Sequence, residues 1–392
     1  MYKIQTLNNI SAAGLDRLPR DRYEVGSEIR LPDAILVRSH NMHGMKIPAS
    51  LKAVGRAGAG VNNIPVAELS KKGIAVFNAP GANANAVKEL VITGMLLGAR
   101  NICQSWQFAR GLSGDDDAIH KEVESGKKRF VGFELPGRML GVIGLGAVGV
   151  QVANAALALG MKVTGYDPEI TVQRAWQMSS DVQQAAGLND LLAKSDFITF
   201  HVPLMDATKH MIDAEQLRLM KDGTVILNFS RVGIINDEDV IEAIDSGRIY
   251  AYICDFPSNL LKDHPRVITL PHIGASTKEA EENCAIMVAE QIRDILENGN
   301  VHNSVNFPDI NMPRNGGHRV VVVNANVPNM LGQISTALAN SRHNIIDMLN
   351  KSRAELAYTL MDVENRLTDD CVKAIASIDG VLSVRTLSDQ DG

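Results

Sequence analysis

The chain has 392 residues, more than one domain usually holds, so two or three are expected. Apolar residues make up 45% and aromatics only 4%, a balance that suits α/β sheets buried on both faces. A net charge of −6 gives no general attraction for nucleic acid or an anionic membrane, so neither is an expected partner. Residues 1–7 open directly into a strand-like segment. Short apolar runs at 34–37, 52–55 and 74–77 read as buried strands, and the turn Gly55-Arg56-Ala57-Gly58-Ala59-Gly60 follows the second. Residues 85–100 repeat at helical spacing, with Val87, Leu90, Val91, Met95 and Leu96 on one face, and a further helical stretch runs from about 102 towards 126.

A new series starts near Arg138. Strand 139–143, helix 150–159 and strand 162–166 are followed by strands at 197–200, 224–227, 250–253 and 267–269, with helices between. This alternation predicts a parallel, doubly wound sheet. A long helix over 278–297, opened by a Ser276/Glu279 capping box, returns the chain to the first block. Asn298-Gly299-Asn300, Pro308, Pro313 and Gly316-Gly317 make the next stretch polar and helix-breaking, and it reads as a linker or hinge. From His318, strand 319–323, helix 331–340, strands 345–349 and 357–363, helix 369–377 and strand 381–386 give a βαββαβ sandwich. Cys103, Cys254, Cys284 and Cys371 are scattered without a C-x-x-C pair, so they read as small buried hydrophobes, with neither a metal site nor a disulfide framework. No apolar run is long enough to span a bilayer and no secretory leader is evident, so a cytoplasmic, reduced protein is expected.

Between the first two strands of the middle block lies Gly144-Leu145-Gly146-Ala147-Val148-Gly149, a G-x-G-x-x-G turn. Gly144 permits the tight turn, Gly146 lets the backbone approach a pyrophosphate, and Gly149 lets helix pack on strand. The helix N-terminus offers free N–H groups to a diphosphate. Asp167, ending the next strand, suits the ribose hydroxyls and repels a 2′-phosphate, which favours NAD over NADP; the alternative is a solvated turn acid before Pro168. Oxidising a 2-hydroxy acid needs a base, a cation and a hydride acceptor. His272, in a loop after a strand, suits the base because imidazole titrates near neutrality. Arg231, just past strand 224–227, can hold a carboxylate by two hydrogen bonds or form a surface ion pair.

Val37-Arg38-Ser39, the run 54–61, Gly165-Tyr166-Asp167-Pro168 and Pro271-His272-Ile273-Gly274-Ala275-Ser276-Thr277 together resemble signatures of the D-isomer-specific 2-hydroxyacid dehydrogenases. The similarity runs over nearly the whole chain and is strongest to members that carry a C-terminal ACT domain. It implies two Rossmann-like domains plus that βαββαβ module: residues 1–100 with 285–305 for substrate, 101–284 for NAD, 306–317 as linker and 318–392 as the ACT domain. It also implies NAD-dependent oxidation of 3-phospho-D-glycerate to 3-phosphohydroxypyruvate, the first step of L-serine synthesis. Another D-2-hydroxyacid dehydrogenase, a hydroxypyruvate reductase, or a non-catalytic NADH-sensing protein are the rival readings.

Residue by residue, the resemblance gives Arg231 and His272 catalytic roles. The family's intervening glutamate sits in Asp-Val-Phe-x-x-Glu-Pro, whereas this chain reads Asp255-Phe256-Pro257-Ser258-Asn259, one residue shorter, with Asn259 the nearest equivalent. Asparagine can orient a ring nitrogen but brings no charge to an imidazolium. A second departure is Val232, where a glycine usually follows the arginine. Asp255 matches a residue that contacts the nicotinamide carboxamide, and Ala147, Val148, His201, Pro203, Thr208 and Ser230 complete the implied cofactor set. Gly58 and Ala59 N–H groups, with Ser39, Arg38 and Arg56, are implied for the substrate carboxylate and phosphate; the alternative for either arginine is a structural ion pair, and the Lys127-Lys128-Arg129 cluster reads as a solvated helix end rather than a phosphate contact. Asn326 and Asn344 match residues that hold an L-serine effector, with Asn324 where a histidine often accompanies them, though such a module can also serve only to hold subunits together. A homodimer or homotetramer is expected. No metal is implied.

Overall fold

The computed structural model describes residues 1–387 and contains three sheets; positions 388–392 of the expected last block lie outside the described residues. The first sheet is parallel and joins β1 (Tyr2–Leu7), β2 (Tyr23–Gly26), β3 (Ala34–Val37), β4 (Ala53–Arg56) and β5 (Ala75–Phe77) in the order β2-β1-β3-β4-β5. Every residue of β3 and β5 is buried, as continuous apolar runs covered on both faces require. Helix Lys278–Glu297 covers one face, with Val288, Ala289, Ile292 and Leu296 in the same core as Ile4, Leu36 and Phe77. The sequence pattern did not reveal β2, because Tyr-Glu-Val-Gly is too short and polar to register as an apolar run. Its Tyr23 is nevertheless buried, with the hydroxyl donating to Glu297.

The second sheet, also parallel, joins β6 (Met139–Ile143), β7 (Lys162–Tyr166), β8 (Gln183–Gln184), β9 (Phe197–Phe200), β10 (Thr224–Asn228), β11 (Ile249–Cys254) and β12 (Val267–Thr269) in the order β12-β11-β10-β9-β6-β7-β8. Helix Ala147–Ala158 begins three residues before its apolar period, since Gly149 lies inside its first turn. The stretch expected to be helical over 102–126 breaks into Ile102–Arg110 and Asp116–Gly126. Gly111 ends the first, and the Asp115 carboxylate accepts the Ala118 N–H to start the second. Helix Ala84–Arg100 buries Val91, Met95 and Ala99 against Leu140, Val225 and Ile253 of this sheet. By proximity it therefore groups with residues 84–277, apart from 1–83 and the chain from 278 onward. The expected boundary after residue 100 therefore falls one helix earlier, after residue 83.

The third sheet is antiparallel, with β13 (His318–Ala325), β14 (Ile345–Arg353), β15 (Leu356–Val363) and β16 (Val381–Thr386) in the order β14-β15-β13-β16. Val320, Val322, Met361 and Val363 face helices Met330–Asn340 and Asp369–Ala376. On the other face, Val321, Val323, Tyr358 and Leu360 share a core with Ile4, Phe77 and Ile292 of the first sheet's layer. The four-valine run of β13 is thus buried on both sides.

That shared core corrects the linker expectation. Phe307, Ile310 and Met312 are buried, and Asn306 accepts the Val76 N–H while donating to the Ile74 carbonyl. The stretch 306–317 is fastened along its length, because its prolines and asparagines shape a path whose apolar side chains point inward. Arg319 secures the end of it. Its side chain is fully buried, pairs with Asp362 through Nε (2.5 Å) and Nη2 (2.9 Å), and donates to the carbonyls of Asn298, Met312 and Pro313. All five guanidinium donors are used, the condition under which a buried charge is tolerated. The four cysteines are free thiols, and burial raises the pKa of three, Cys254 to about 11. Among the described residues no helix is long and apolar enough to cross a membrane.

Candidate active site

Strand register brings the second sheet's loops to one edge. Thr269, Cys254, Asn228, Phe200, Ile143 and Tyr166 are successive lateral neighbours near the carboxyl ends of six strands. The residues that follow them therefore line that edge: His272, Asp255, Arg231, His201, Gly144 and Asp167. Strand order reverses between β9 and β6, where the loops diverge and leave a crevice, the usual ligand position in an open α/β sheet.

The glycine turn is shaped by contacts no side chain could survive. Gly144 has φ +89°, and a Cβ there would lie 2.6 Å from the His201 carbonyl oxygen. A Cβ on Gly149 would come within 1.9 Å of the Gly144 oxygen. Gly146 differs: nothing lies within 4 Å of its missing Cβ, so its face is open towards the start of helix Ala147–Ala158. First-turn N–H groups, including those of Ala147 and Val148, have no intrahelical partner and face an anion with partial positive charge. Asp167 braces the turn, its Oδ2 accepting Leu145 N–H at 2.8 Å and its Oδ1 accepting Glu169 N–H at 2.9 Å. Each carboxylate oxygen has a second lone pair, enough for two ribose hydroxyls. An open glycine, free helix N–H groups and a terminal carboxylate fit a dinucleotide.

The remaining cofactor-set residues mostly shape backbone. His201 N–H donates to Ile143 O at 2.7 Å, and its Nε2 lies 3.1 Å from the Thr199 hydroxyl. The residue is half-buried, and desolvation of its ring lowers its pKa to about 3, leaving it neutral. Thr208 Oγ1 donates to Pro203 O at 2.6 Å and accepts Met205 N–H at 2.8 Å, closing the loop 203–208. The Ser230 hydroxyl donates to Val202 O.

Buried Asn228 builds the turn that presents Arg231. Its Oδ1 accepts Ser230 N–H at 3.2 Å and its Nδ2 donates to Arg231 O at 3.0 Å. The Arg231 side chain is exposed; Nη1 donates to Ser230 O at 2.7 Å, and the other donors have no partner among the described residues. Val232 is tolerated because the left-handed turn position falls on Gly233 (φ +83°), while the valine side chain points to solvent.

Asp255 is 1% exposed, and both its oxygens accept backbone N–H groups, from Ile273 at 2.9 Å and Gly274 at 2.8 Å. His272 N–H donates to the carbonyls of Asp255 (3.1 Å) and Leu270 (3.0 Å). This clamp holds His272 at φ +56°, a strained conformation for a non-glycine residue. The imidazole is exposed, stacks edge-on against Phe256, and has no hydrogen-bond partner among the described residues. Asn259 sits exposed in the turn after Ser258, and among the described residues no hydrogen bond joins it to His272, so the orienting bond expected of Asn259 is not made.

The first sheet's carboxyl edge carries the residues expected for substrate. Leu7, Val37 and Arg56 are neighbours in register, which places Asn8, Arg38 and Ala57 side by side. Asn8 Oδ1 accepts the N–H groups of Ser39 and His40. Arg56 Nε donates to Arg38 O and Asn63 Oδ1, each at 3.1 Å, and a Cβ on Gly58 would lie 2.4 Å from Arg56 Nη1. Gly58 O accepts Ala79 N–H, and Ala59 O accepts Asn78 Nδ2 at 2.5 Å. Arg38 Nη2 is paired with Glu281 Oε1 at 2.6 Å. Sequence reasoning missed Glu281, which lies on the helix 278–297 and has no local signal linking it to Arg38. In the third sheet, Asn324 is buried with Oδ1 unpartnered, Asn326 Nδ2 donates to Ala354 O, and Asn344 Nδ2 donates to Glu364 Oε1. The structure keeps these three on the same small sandwich, with Asn324 and Asn326 at the carboxyl end of β13 and Asn344 before β14, at the opposite end of the sheet.

A family model described as "D-isomer specific 2-hydroxyacid dehydrogenase, NAD binding domain" matches residues 102–274. The D-3-phosphoglycerate dehydrogenase of Escherichia coli K12 is 31% identical over 350 residues, covering 86% of this chain and 82% of that one. The chain belongs to the D-isomer specific 2-hydroxyacid dehydrogenases. A D-3-phosphoglycerate dehydrogenase of Methanocaldococcus jannaschii is 38% identical over 356 residues, 88% of this chain and 64% of that protein. Two further relatives of that name are covered over 54% and 57% of their lengths, so the chain spans between half and two thirds of these relatives. A solved NAD+-bound 3-phosphoglycerate dehydrogenase of Entamoeba histolytica is 27% identical, with a TM-score of 0.60 over 78% of this chain and 98% of that one. The glycine turn, Asp167, Arg231 and His272 therefore sit in this family's NAD-binding domain, on this family's fold.

Proposed function

We propose that the protein oxidises 3-phospho-D-glycerate to 3-phosphohydroxypyruvate with NAD, the first step of L-serine synthesis. The observation that carries the reading is the register that aligns Gly144, Asp167, Arg231 and His272 along one sheet edge. Gly144, Gly146, Gly149 and Asp167 would hold NAD, which supplies the hydride acceptor when bound. His272 takes the hydroxyl proton as the carbonyl forms, and its exposed, unpartnered ring leaves a nitrogen free to do so. Arg231, with several donors uncommitted, holds the carboxylate and the developing carbonyl oxygen. The Ala59 N–H assists with the carboxylate, the Gly58 N–H joining it only by sharing the hydrogen bond it gives the Arg56 carbonyl at 2.8 Å, and Arg38 and Arg56 answer the phosphate. Asp167 disfavours a 2′-phosphate, which supports NAD rather than NADP.

The antiparallel βαββαβ module is read as an ACT-type domain, with Asn326 and Asn344 for an L-serine effector and Asn324 next to Asn326. A closed homodimer or homotetramer working in the cytoplasm completes the proposal. The alternative of another D-2-hydroxyacid dehydrogenase or hydroxypyruvate reductase draws on one observation: Glu281 already neutralises Arg38, which weakens its claim on a phosphate. A non-catalytic NADH-binding role draws on the absence, among the described residues, of a hydrogen bond between Asn259 and His272.

NADH oxidation with 3-phosphohydroxypyruvate, hydroxypyruvate and 2-oxoglutarate separates these. Fast turnover of the phosphorylated substrate alone supports the main reading. Preference for hydroxypyruvate supports the first alternative, and tight NADH binding without turnover the second.

A further inference from the structure

The proposed base raises a problem of orientation. An imidazole that must present one nitrogen to a substrate usually has the other held by a hydrogen bond. His272 has none on either nitrogen among the described residues, yet its backbone is firmly held. Two carbonyls accept its N–H, and the Asp255 carboxylate holds the next two N–H groups. What remains free is rotation about the side-chain bonds.

The contact that limits this rotation is aromatic. The Phe256 and His272 ring centroids are 5.2 Å apart with planes at 65°, an edge-to-face arrangement. Phe256 is itself anchored: its ring packs against the core beneath β10 and β11, and its carbonyl accepts the Cys254 thiol. It directly follows Asp255, so one dipeptide supplies both restraints, Asp255 on the backbone and Phe256 on the ring.

We propose that Phe256 is the positioning residue for the His272 imidazole, orienting it by an edge-to-face ring contact in place of a hydrogen bond. This rests on the reading of His272 as the base. A ring held this way keeps both nitrogens available, and its orientation depends on shape rather than on a neighbour's charge. Aromatic pairs of this geometry contribute enough that losing one should cost about three- to tenfold in turnover.

The test is Phe256→Leu with Phe256→Tyr as the conservative variant, read by steady-state kinetics, NADH binding, and the His272 ring proton resonances assigned by comparison with His272→Gln. The expected result is kcat down about fivefold in Phe256→Leu, with NADH affinity and melting temperature held and the His272 resonances moved, and kcat restored to within about twofold in Phe256→Tyr. Unchanged kcat, a loss that follows NADH affinity, or an unmoved ring resonance overturns the proposal. If the wild-type protein turns over no 2-oxo acid, the functional reading fails by itself, and the resonance comparison still decides whether Phe256 sets the ring.

Discussion

Residues 84–277 and the rest of the chain place their polar groups by different means. In the first, the polar edge is largely backbone: glycine-turn N–H groups, a carboxylate on two loop amides, a histidine held neutral by burial. In the second, polar groups are placed by side-chain pairs from separate parts of the chain, Arg38 with Glu281 at the edge and Arg319 with Asp362 in the interior. Backbone sites tolerate no added atom at glycines such as Gly144 and Gly149 but need no partner. Pair-built sites tolerate some change in shape and fail when one charge is removed.

Removing one member of the buried pair should have the largest effect. Arg319→Met leaves Asp362 charged and buried, and is expected to cost about 3–5 kcal/mol in denaturant unfolding. Arg319→Met with Asp362→Leu should recover much of that; a double variant as unstable as the single one would show that the carbonyl contacts, not the charge pair, matter most. On the backbone side, Gly149→Ala should weaken NADH binding by about a hundredfold, since the new Cβ meets a backbone oxygen at 1.9 Å. Binding within about threefold of wild type would show that the turn can move.

A third effect is pH-dependent. The His201 pKa is lowered from 6.5 to about 3, so below about 6.5 the unfolded chain binds a proton that the folded one refuses. Stability is therefore complete above that pH and falls as pH drops towards 3, by at most about 1.4 kcal/mol per unit. His201→Gln should flatten the stability profile between about pH 6.5 and 5. A profile as steep as wild type would place the acid sensitivity elsewhere. The smallest effect is at the exposed pair: Glu281→Gln frees Arg38 and should tighten inorganic phosphate binding by up to about fivefold, because half-exposed ion pairs contribute little. Weaker phosphate binding would mean that Glu281 holds Arg38 in its useful position.

The same contrast explains what the sequence made visible. Gly144 to Gly149, Asp167 and the strands around them are contiguous, and their period and glycine spacing predict both the β-α-β unit and its ligand edge. Arg38 and Glu281 are 243 residues apart, and no local pattern joins them. Residues 306–317 were misjudged because composition reports backbone freedom but not tertiary hydrogen bonds. Asn306 and Arg319 supply these only once the first and third sheets share a core. Val232 looked like a defect until the turn's left-handed position proved to be Gly233. Phe256 carried no signal beyond filling a position next to Asp255.

The most direct test of the account is NADH-dependent reduction of 3-phosphohydroxypyruvate by the wild-type protein and His272→Ala, with NADH binding measured for both. The account predicts turnover by the wild type, a loss of about a hundredfold or more in the variant, and equal NADH affinity. Tight NADH binding with no wild-type turnover, or a variant as active as wild type, would contradict it.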